Sequence, residues 1–279
     1  MTLTEKYRPK TLGEVRGQDH IVRSLARFAA SPSPKAFILH GASGTGKTSI
    51  GLALARGLGV DVDKGAWGGL HEIPSGECTA ETIRELFNTT LRYSSWHGSG
   101  WKVVLVNEAD NMSDKASYIW LDVLEKLPSK VVVVFTSNDA GKFSSRFKSR
   151  CECYRVNSAA NGKDLADSTC EAAAQQLIDD IWLAELGHNH SPRLAELEGW
   201  NDGGNVNFRG VVQALEPRIR EQGEIDAASK PVKKPCIRVE LPAAKPARMR
   251  VELHAATLHD PNRGTCPVYP HGSFERSGN

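Results

Sequence analysis

Short apolar runs alternate with amphipathic stretches through the first half of this chain. Three runs, Ala36 to His40, Val103 to Val106 and Val131 to Phe135, are nearly continuous and rich in apolar side chains, which is typical of parallel strands covered on both faces. Weaker strand patterns occur at Leu70 to Ile73 and at Cys153 to Val156, and the second alternates like an edge strand. We expect the three stronger strands at the centre of a parallel sheet.

Helical patterns lie between these strands. They occur at Lys47 to Leu58, Thr79 to Leu91 and Ser113 to Leu127, and each opens with a residue that can cap or support a first turn. Alternation of strands and helices predicts an α/β fold, a doubly wound parallel sheet with helices on both faces.

The pattern changes after Val156, where the strand signals stop. A long helical pattern at Lys163 to Leu186 is followed by shorter ones near Pro192 to Leu197 and Asn207 to Gln222, which predict a small all-helical domain. The predicted domains are residues 1–156, 157–222 and 223–279.

The third segment, residues 223–279, differs in composition. It holds seven of the 14 prolines, and nine Lys and Arg against six Asp and Glu. Because proline interrupts helices, we expect a proline-rich, basic tail that is mostly extended or disordered. A solvated tail without a specific partner is the plain alternative to a binding role.

Composition narrows the class of protein. The 279 residues carry a formal net charge of +2, with 40% hydrophobic and 24% charged residues, which excludes a wholly basic nucleic-acid coat and an acidic tail protein. The N-terminus has no apolar signal region and no run is long enough to span a membrane, so we expect a cytoplasmic protein without a membrane partner. Cys151 and Cys153 form a lone C-x-C that lacks the second pair of a zinc site, so free thiols are expected.

Residues Gly41 to Thr48 carry the clearest chemistry. They fit the phosphate-loop pattern G-x-x-x-x-G-K-[ST] at every fixed position, between a predicted strand and a predicted helix. In that setting backbone N–H groups and the helix N-terminus face a polyphosphate. Lys47 is expected to reach the β- and γ-phosphates, and the Thr48 hydroxyl to join the magnesium shell.

Acidic and amide side chains follow two neighbouring predicted strands. Asn107 stands where a nucleotide hydrolase places its magnesium-associated carboxylate, and Glu108 is the expected general base. Since an amide lacks negative charge, Asn107 predicts metal contact through water, weaker magnesium affinity and slower hydrolysis. Asn138 follows the next strand and is expected beside the γ-phosphate, although a turn asparagine would look the same.

Taken together, the motifs resemble the clamp-loader ATPase subunits of the AAA+ superfamily, of the replication factor C and phage clamp-loader large-subunit type. Glu5 to Leu12 with Gly17 to Asp19 is similar to the family's N-terminal box, which folds over the adenine. Ser149-Arg150-Cys151 is similar to its Ser-Arg-Cys motif. Asn205 to Arg209 resembles its second sensor, and the residues Asn-Phe-Arg are more similar to those of phage clamp loaders than to those of cellular ones.

The resemblance implies roles that the residues alone leave open. ATP and Mg²⁺ are the implied cofactors. Arg150 is implied to act on the nucleotide of a neighbouring subunit, Arg209 to sense the γ-phosphate in its own subunit, and Arg84 to contact DNA, although Arg84 alone fits an exposed helix charge. The implied catalytic residues are Lys47, Glu108, Asn138, Arg150 and Arg209. The implied ATP contacts are Tyr7, Arg8, Pro9, Gln18, Gly41, Ser43, Gly44, Thr45, Gly46, Lys47, Thr48, Ser49 and Arg209, and the magnesium contacts are Thr48 and Asn107.

The function that follows is a DNA-dependent ATPase that assembles with other AAA+ subunits around primer-template DNA and opens or places a sliding clamp. A fork- or junction-remodelling ATPase and a weakly hydrolysing structural subunit are the alternatives. Two departures from the family stand out. Asp122 occupies a position that is often basic, and the proline-rich segment does not resemble the helical collar of clamp loaders.

Overall fold

The computed structural model describes residues 1–91, 99–156, 167–202 and 205–229. A five-stranded parallel sheet organises the first part of the chain. Its strands are β1 (Lys35–His40), β2 (Leu70–Pro74), β3 (Lys102–Asn107), β4 (Val131–Ser137) and β5 (Glu152–Arg155). Their order is β2-β3-β4-β1-β5, and every pairing is parallel. The strands with the strongest apolar runs therefore lie at the centre, as predicted, and β5 is an edge strand.

Within the described residues, six α-helices accompany the sheet. They are α1 (Leu3–Lys6), α2 (Asp19–Ala30), α3 (Lys47–Gly57), α4 (Ala80–Glu85), α5 (Asp114–Glu125) and α6 (Ser145–Lys148). The sequence prediction missed α1, α2 and α6. The α2 signal was present in the sequence, because Ile21 and Leu25 stand one turn apart and are fully buried.

The predicted helix Thr79 to Leu91 needs correction. The α-helix ends at Glu85, and a π-helical turn continues through Leu86–Thr90. The Thr89 hydroxyl donates to the Glu85 carbonyl, and the Leu91 N–H donates to the Leu86 carbonyl, five residues back. A side chain that bonds the preceding turn in this way competes with regular α-helical bonding.

Two apolar clusters cover the two faces of the sheet. Successive residues of β3 alternate between them, with Val103 and Leu105 in the cluster that includes α2 and α3, and Val104 and Val106 in the cluster that includes α5. Trp120 of α5 is fully buried in the second cluster, edge-on to Phe87 and Phe135. Both faces are thus buried, which explains why the central strands show continuous apolar runs.

The helical region after the sheet forms its own core. Its elements are α7 (Asp167–Leu186), the antiparallel pair β6 (Asn201–Asp202) and β7 (Asn205–Val206), and α8 (Phe208–Ser229). Buried residues of this core include Ile178 and Ile181 of α7 and Val211 and Leu215 of α8. We call residues 167–202 and 205–229 the lid.

Three predictions for the lid are corrected. The expected helix at Pro192 to Leu197 is a 3₁₀ turn, Leu194–Glu196, whose first N–H donates to the side chain of Gln175 on α7. The short β6–β7 pair was not predicted. The helix expected to stop at Gln222 runs through Pro217 to Ser229, seven residues further than predicted.

Two contacts of Asp226, one with the segment that follows α7 and one within α8, account for this extension. His188 Nε2 lies 3.1 Å from Asp226 Oδ2, and Gln222 Nε2 donates to Asp226 Oδ1. These bonds fasten the last turns of α8, and the dense prolines begin only at Pro231. Residues 230–279, the rest of the predicted tail, and residues 163–166 of the predicted long helix lie outside the described residues.

Two sequence expectations concern the cysteines and the membrane-spanning segments. Cys78, Cys151, Cys153 and Cys170 are free thiols, whereas Cys236 and Cys266 lie outside the described part of the chain. Among the helices that the structure describes, none combines the length and the apolar character needed to cross a membrane.

Candidate functional site

The phosphate-type loop, residues 41–48, joins β1 to α3, as predicted. Gly44 and Gly46 adopt left-handed backbone angles, with φ of 73° and 94°, which residues with a side chain rarely adopt. The Thr45 hydroxyl donates to the Ala42 carbonyl across the loop. The loop turns into α3 at Lys47, so the free N–H groups of the first helical turn face the cavity described below.

The ammonium of Lys47 lies at the centre of the site. It donates to the carbonyls of Gly41 (2.8 Å) and Ala42 (2.7 Å) and to Asn138 Oδ1 (2.9 Å). Burial, partly offset by the charge of Asp110, lowers the pKa of Lys47 to about 8. The side chain is therefore held among neutral acceptors, where an added anion would strongly favour its charged form.

The carboxyl end of β3 contributes the second part of the site. Asn107 Oδ1 accepts hydrogen bonds from the Thr48 hydroxyl (3.2 Å) and the Thr136 hydroxyl (3.3 Å). Glu108 follows with a left-handed φ of 52°, and its N–H donates to the Thr136 hydroxyl. This backbone turn leaves the Glu108 side chain exposed in the wall of the cavity.

Asn138 and Asp110 form the link between the ends of β3 and β4. The Asn138 N–H donates to Asp110 Oδ1 at 3.3 Å, and its side-chain oxygen accepts from Lys47. Asp110 is nearly buried, and Lys142 Nζ lies 3.6 Å from its other oxygen. Asn138 is thus more than a turn asparagine, because its side chain reaches the lysine of the phosphate-type loop.

The lid touches the loop directly. The Arg209 N–H donates to the Gly44 carbonyl, and Asn207 caps the start of α8 by accepting from the Gly210 N–H at 2.9 Å. A methyl group on Gly44 would lie 1.9 Å from Asn207 Oδ1. The absence of a side chain at Gly44 therefore allows the lid to approach this closely.

These elements enclose a cavity of about 440 Å³. The phosphate-type loop, the ends of β3 and β4, the lid and the N-terminal segment (residues 3–16) all contribute to its wall. The lining residues that were predicted from the sequence are Tyr7, Arg8, Pro9, Ser43, Gly44, Thr45, Gly46, Lys47, Thr48, Ser49, Asn107, Glu108, Asn138 and Arg209.

Two predicted nucleotide contacts do not line this cavity, although both lie in the described part of the chain. Gln18 is buried at the start of α2, with 1% of its surface exposed. Gly41 contributes its carbonyl to Lys47 and lines a separate depression of about 360 Å³ with His40 and Arg155.

Several lining residues were not predicted. Leu177 of α7 and Phe208 and Val212 of α8 supply an apolar side, and Thr136 supplies the hydroxyl beside Asn107. Periodicity assigns these residues to helix faces or strand ends, and it carries no signal that they face one cavity. The remaining additions to the wall are Thr4, Glu14, Val15, Arg16, Pro74 and Ser75.

Arg150 lies away from the cavity of its own chain. Its guanidinium pairs with Glu125 at the end of α5 and donates to the Arg146 carbonyl at 2.8 Å. Arg84, the predicted DNA contact, is exposed in the last turn of α4. The structure therefore groups Lys47, Glu108, Asn138 and Arg209 in one site and leaves Arg150 and Arg84 elsewhere.

The donor set of the cavity suits a magnesium nucleotide. The backbone N–H groups of the glycine-rich loop and the cations Lys47 and Arg209 fit an anionic polyphosphate. The Thr48 hydroxyl and the Asn107 amide oxygen lie within hydrogen-bond distance of each other, and oxygen donors of this kind suit Mg²⁺.

Fold and loop together define a P-loop α/β domain. A solved structure with the same fold is the Holliday junction branch migration motor RuvB of Thermotoga maritima, at a TM-score of 0.57 and 16% identity, covering 79% of this chain and 67% of that one. At this identity the match shows the fold alone.

Sequence relatives specify the class further. A family described as DNA polymerase III, delta subunit, matches residues 62–160. Replication factor C subunit 3 of Blastobotrys adeninivorans is 29% identical over 154 residues, which cover 55% of this chain and 45% of that protein. The replication factor C small subunit of Haloarcula marismortui is 27% identical over 183 residues, covering 66% and 54%.

A third relative is the replication factor C large subunit of Halobacterium salinarum, 33% identical over 156 residues, covering 53% of this chain and 31% of that protein. The matched regions thus span about half or less of the length of these relatives. The resemblance to AAA+ clamp-loader subunits that the motifs indicated is confirmed.

Proposed function

We propose that this chain is an ATP-binding and ATP-hydrolysing subunit of a sliding-clamp loader that acts in DNA replication. The observation that carries the proposal is the cavity in which Lys47, Glu108 and Arg209 meet. Its three sides come from the phosphate-type loop, the end of β3 and the lid. Relatives named as replication factor C subunits support the choice of this class among AAA+ proteins.

Four side chains of the cavity have defined tasks in this proposal. Lys47 and the loop N–H groups bind the phosphates, and Arg209 senses the γ-phosphate from the lid. Glu108 accepts a proton from the attacking water, which Asn138 orients. When bound, Mg²⁺ neutralises the charge of the β- and γ-phosphates.

Asn107 makes the proposed hydrolysis slow. Its amide oxygen already accepts two hydroxyl hydrogen bonds, from Thr48 and Thr136, and it carries no negative charge. A metal held through this position loses the electrostatic attraction that a carboxylate would supply. We therefore assign this chain a higher magnesium requirement than a version with aspartate at position 107.

Hydrolysis in the proposal also requires a neighbouring subunit. Arg150 lies outside the cavity of its own chain and next to the exposed end of α5. It is proposed to reach the nucleotide of the adjacent AAA+ subunit, in a ring of like or related chains. Such an arginine contributes about 10³-fold or more to turnover, so isolated chains are expected to be nearly inactive.

DNA and the clamp are the proposed macromolecular partners. Arg84 is exposed in the last turn of α4, and it is proposed to contact a phosphate of primer-template DNA. The expected site of action is the cytoplasm, or the host cytoplasm if the chain is viral.

A turnover assay with four arms tests the proposal. ATPase is measured with no addition, with primed DNA, with a cognate clamp and with both. Joint stimulation by DNA and clamp is the expected result. Stimulation by DNA alone would instead support fork or junction remodelling, and ATP binding without turnover in all four arms would support a structural subunit.

A further inference from the structure

Glu185, in the last turn of α7, binds two residues of the N-terminal segment. Its Oε1 accepts from the Tyr7 hydroxyl at 2.6 Å and from Lys6 Nζ at 2.7 Å. Its side chain is 20% exposed, which makes this the best shielded carboxylate among the described ion pairs between the N-terminal segment and the lid. One carboxylate on the lid thus accepts hydrogen bonds from two residues of the N-terminal segment.

Tyr7 occupies two positions at once. It lines the nucleotide cavity next to Arg8 and Pro9, and it packs with Leu3 against the apolar core of the lid. Because the hydroxyl is bound by Glu185, the tyrosine cannot leave the lid without breaking a hydrogen bond to a charged group. The position of Tyr7 therefore determines where the N-terminal segment contributes to the cavity wall.

Charge states at neutral pH suit this contact. Burial, followed by the hydrogen bond to Glu185, raises the pKa of Tyr7 to about 12. The hydrogen bonds from Lys6 and Tyr7 lower the pKa of Glu185. The tyrosine is thus a protonated donor and the glutamate an ionised acceptor, the combination that gives the stronger kind of hydrogen bond.

A second ion pair joins the other end of the same segment to the same helix. Arg16 lines the cavity and lies 2.5 Å from Asp180 of α7. Since 61% of the Asp180 side chain is exposed, solvent screens this pair and its contribution is small. Glu185 is the contact that can hold the segment in place.

We propose that Glu185 is a positioning residue for nucleotide binding, which holds Tyr7 so that the N-terminal segment stands as a preformed wall of the cavity. This inference rests on the proposed nucleotide-binding function and adds a residue outside the recognised motifs. A wall ordered before binding lowers the entropy lost on association. Its effect falls on affinity, because Glu185 touches neither the phosphate-type loop nor Glu108.

The experiment compares Glu185→Ala with Glu171→Ala, a matched control in which an exposed glutamate of the same helix is replaced. Tyr7→Phe is a third variant, which removes the hydroxyl and keeps the ring. Hydrogen–deuterium exchange of residues 3–16 is measured without nucleotide. Dissociation constants for ADP and ATPγS with Mg²⁺ are measured by calorimetry, and turnover by steady-state kinetics.

Faster exchange of residues 3–16 is expected in Glu185→Ala and Tyr7→Phe, and not in Glu171→Ala. The dissociation constants of both nucleotides should rise about tenfold or more, the loss expected for a hydrogen bond to a charged group. Turnover of Glu185→Ala at saturating ATP should stay at the wild-type level, so that its KM changes and its kcat does not.

Unchanged exchange in Glu185→Ala would overturn the inference, and so would faster exchange with wild-type nucleotide affinity. Failure of the proposed function gives a different result. In that case the wild-type chain itself binds no nucleotide, while the exchange measurement still reports whether Glu185 orders the segment.

Discussion

Asn207 of the lid lies directly against Gly44 of the phosphate-type loop, so that a methyl group on Gly44 would come within 1.9 Å of the Asn207 side-chain oxygen. The same asparagine caps α8 by accepting from the Gly210 N–H. Arg209 therefore projects from a helix start that is fixed on the loop itself. The position of the lid and the shape of the phosphate-type loop depend on each other at this contact.

Gly44→Ala should separate the lid from the loop. The added Cβ collides with Asn207, and the left-handed φ of 73° costs a residue with a side chain about 1–2 kcal/mol. We expect at least about tenfold weaker nucleotide binding, since 1.4 kcal/mol is a factor of ten, and faster hydrogen exchange at the start of α8. Calorimetry and exchange mass spectrometry measure the two effects.

Gly13→Ala is the control, because nothing lies within 4 Å of its Cβ position. Equal nucleotide affinity and equal exchange in Gly44→Ala and Gly13→Ala would contradict the prediction.

Asn107→Asp should lower the magnesium requirement. The Thr48 and Thr136 hydroxyls that now donate to the amide oxygen can donate equally to a carboxylate, so the substitution fits the site and adds the missing charge. The magnesium concentration for half-maximal ATPase is expected to fall about tenfold or more, with faster turnover at limiting metal. Asn111→Asp, an exposed change four residues further on, controls for added charge. The same magnesium curve for Asn107→Asp and wild type would refute the assignment.

Nucleotide binding should take up protons at alkaline pH. The pKa of Lys47 is about 8 in the protein alone, and an adjacent polyphosphate raises it. Lys47 is thus partly neutral before binding and charged afterwards when the pH lies above about 8, whereas near pH 6.5 it is charged in both states. Calorimetry with ADP in two buffers of different ionisation enthalpy measures this uptake. Proton uptake by Lys47 should be substantial at pH 8.5 and small at pH 6.5. Uptake that does not depend on pH would argue against Lys47 as the residue that binds the phosphates.

Arg150→Ala should remove turnover without removing nucleotide binding. Arg150 is paired with Glu125 outside the cavity, so the affinity of the isolated chain is expected to stay at the wild-type level. Turnover of the assembled protein should fall about 10³-fold. Arg146→Ala, at an exposed position of α6 just before Arg150, should have little effect.

A mixing experiment tests whether Arg150 acts between chains. Glu108→Gln carries an intact arginine and no base, and Arg150→Ala carries an intact base and no arginine. Mixing the two inactive variants should restore part of the ATPase, because one chain completes the site of the other. Loss of nucleotide binding in Arg150→Ala alone would show that the arginine serves its own chain.

Much of the sheet and the phosphate-type loop could be predicted because the signals are local. Continuous apolar runs mark strands buried on both faces, and the glycine and lysine spacing of the loop leaves few alternatives to its backbone path. The edge position of β5 followed from its alternating pattern in the same way. The signal for α2 is local as well, because the buried residues Ile21 and Leu25 stand one helical turn apart.

Other features could not be obtained in this way because they depend on contacts that polar side chains form only in the folded chain. The helix at Thr79 changes to a π-turn where Thr89 bonds Glu85, and α8 outlasts its predicted end because Asp226 meets His188. Both outcomes depend on which partner a polar side chain finds, and propensity does not encode that choice.

By itself, the sequence determined the five strands of the sheet along the chain, the presence of a phosphate-type loop and the replacement of a carboxylate by Asn107, since each is written in spacing or identity. Only the tertiary structure decided that Gly44 meets Asn207, that Gln18 does not line the cavity and that Glu185 holds Tyr7. The physical reason is distance along the chain. A contact between residues 178 positions apart is set by how the lid and the N-terminal segment pack, which no local pattern records.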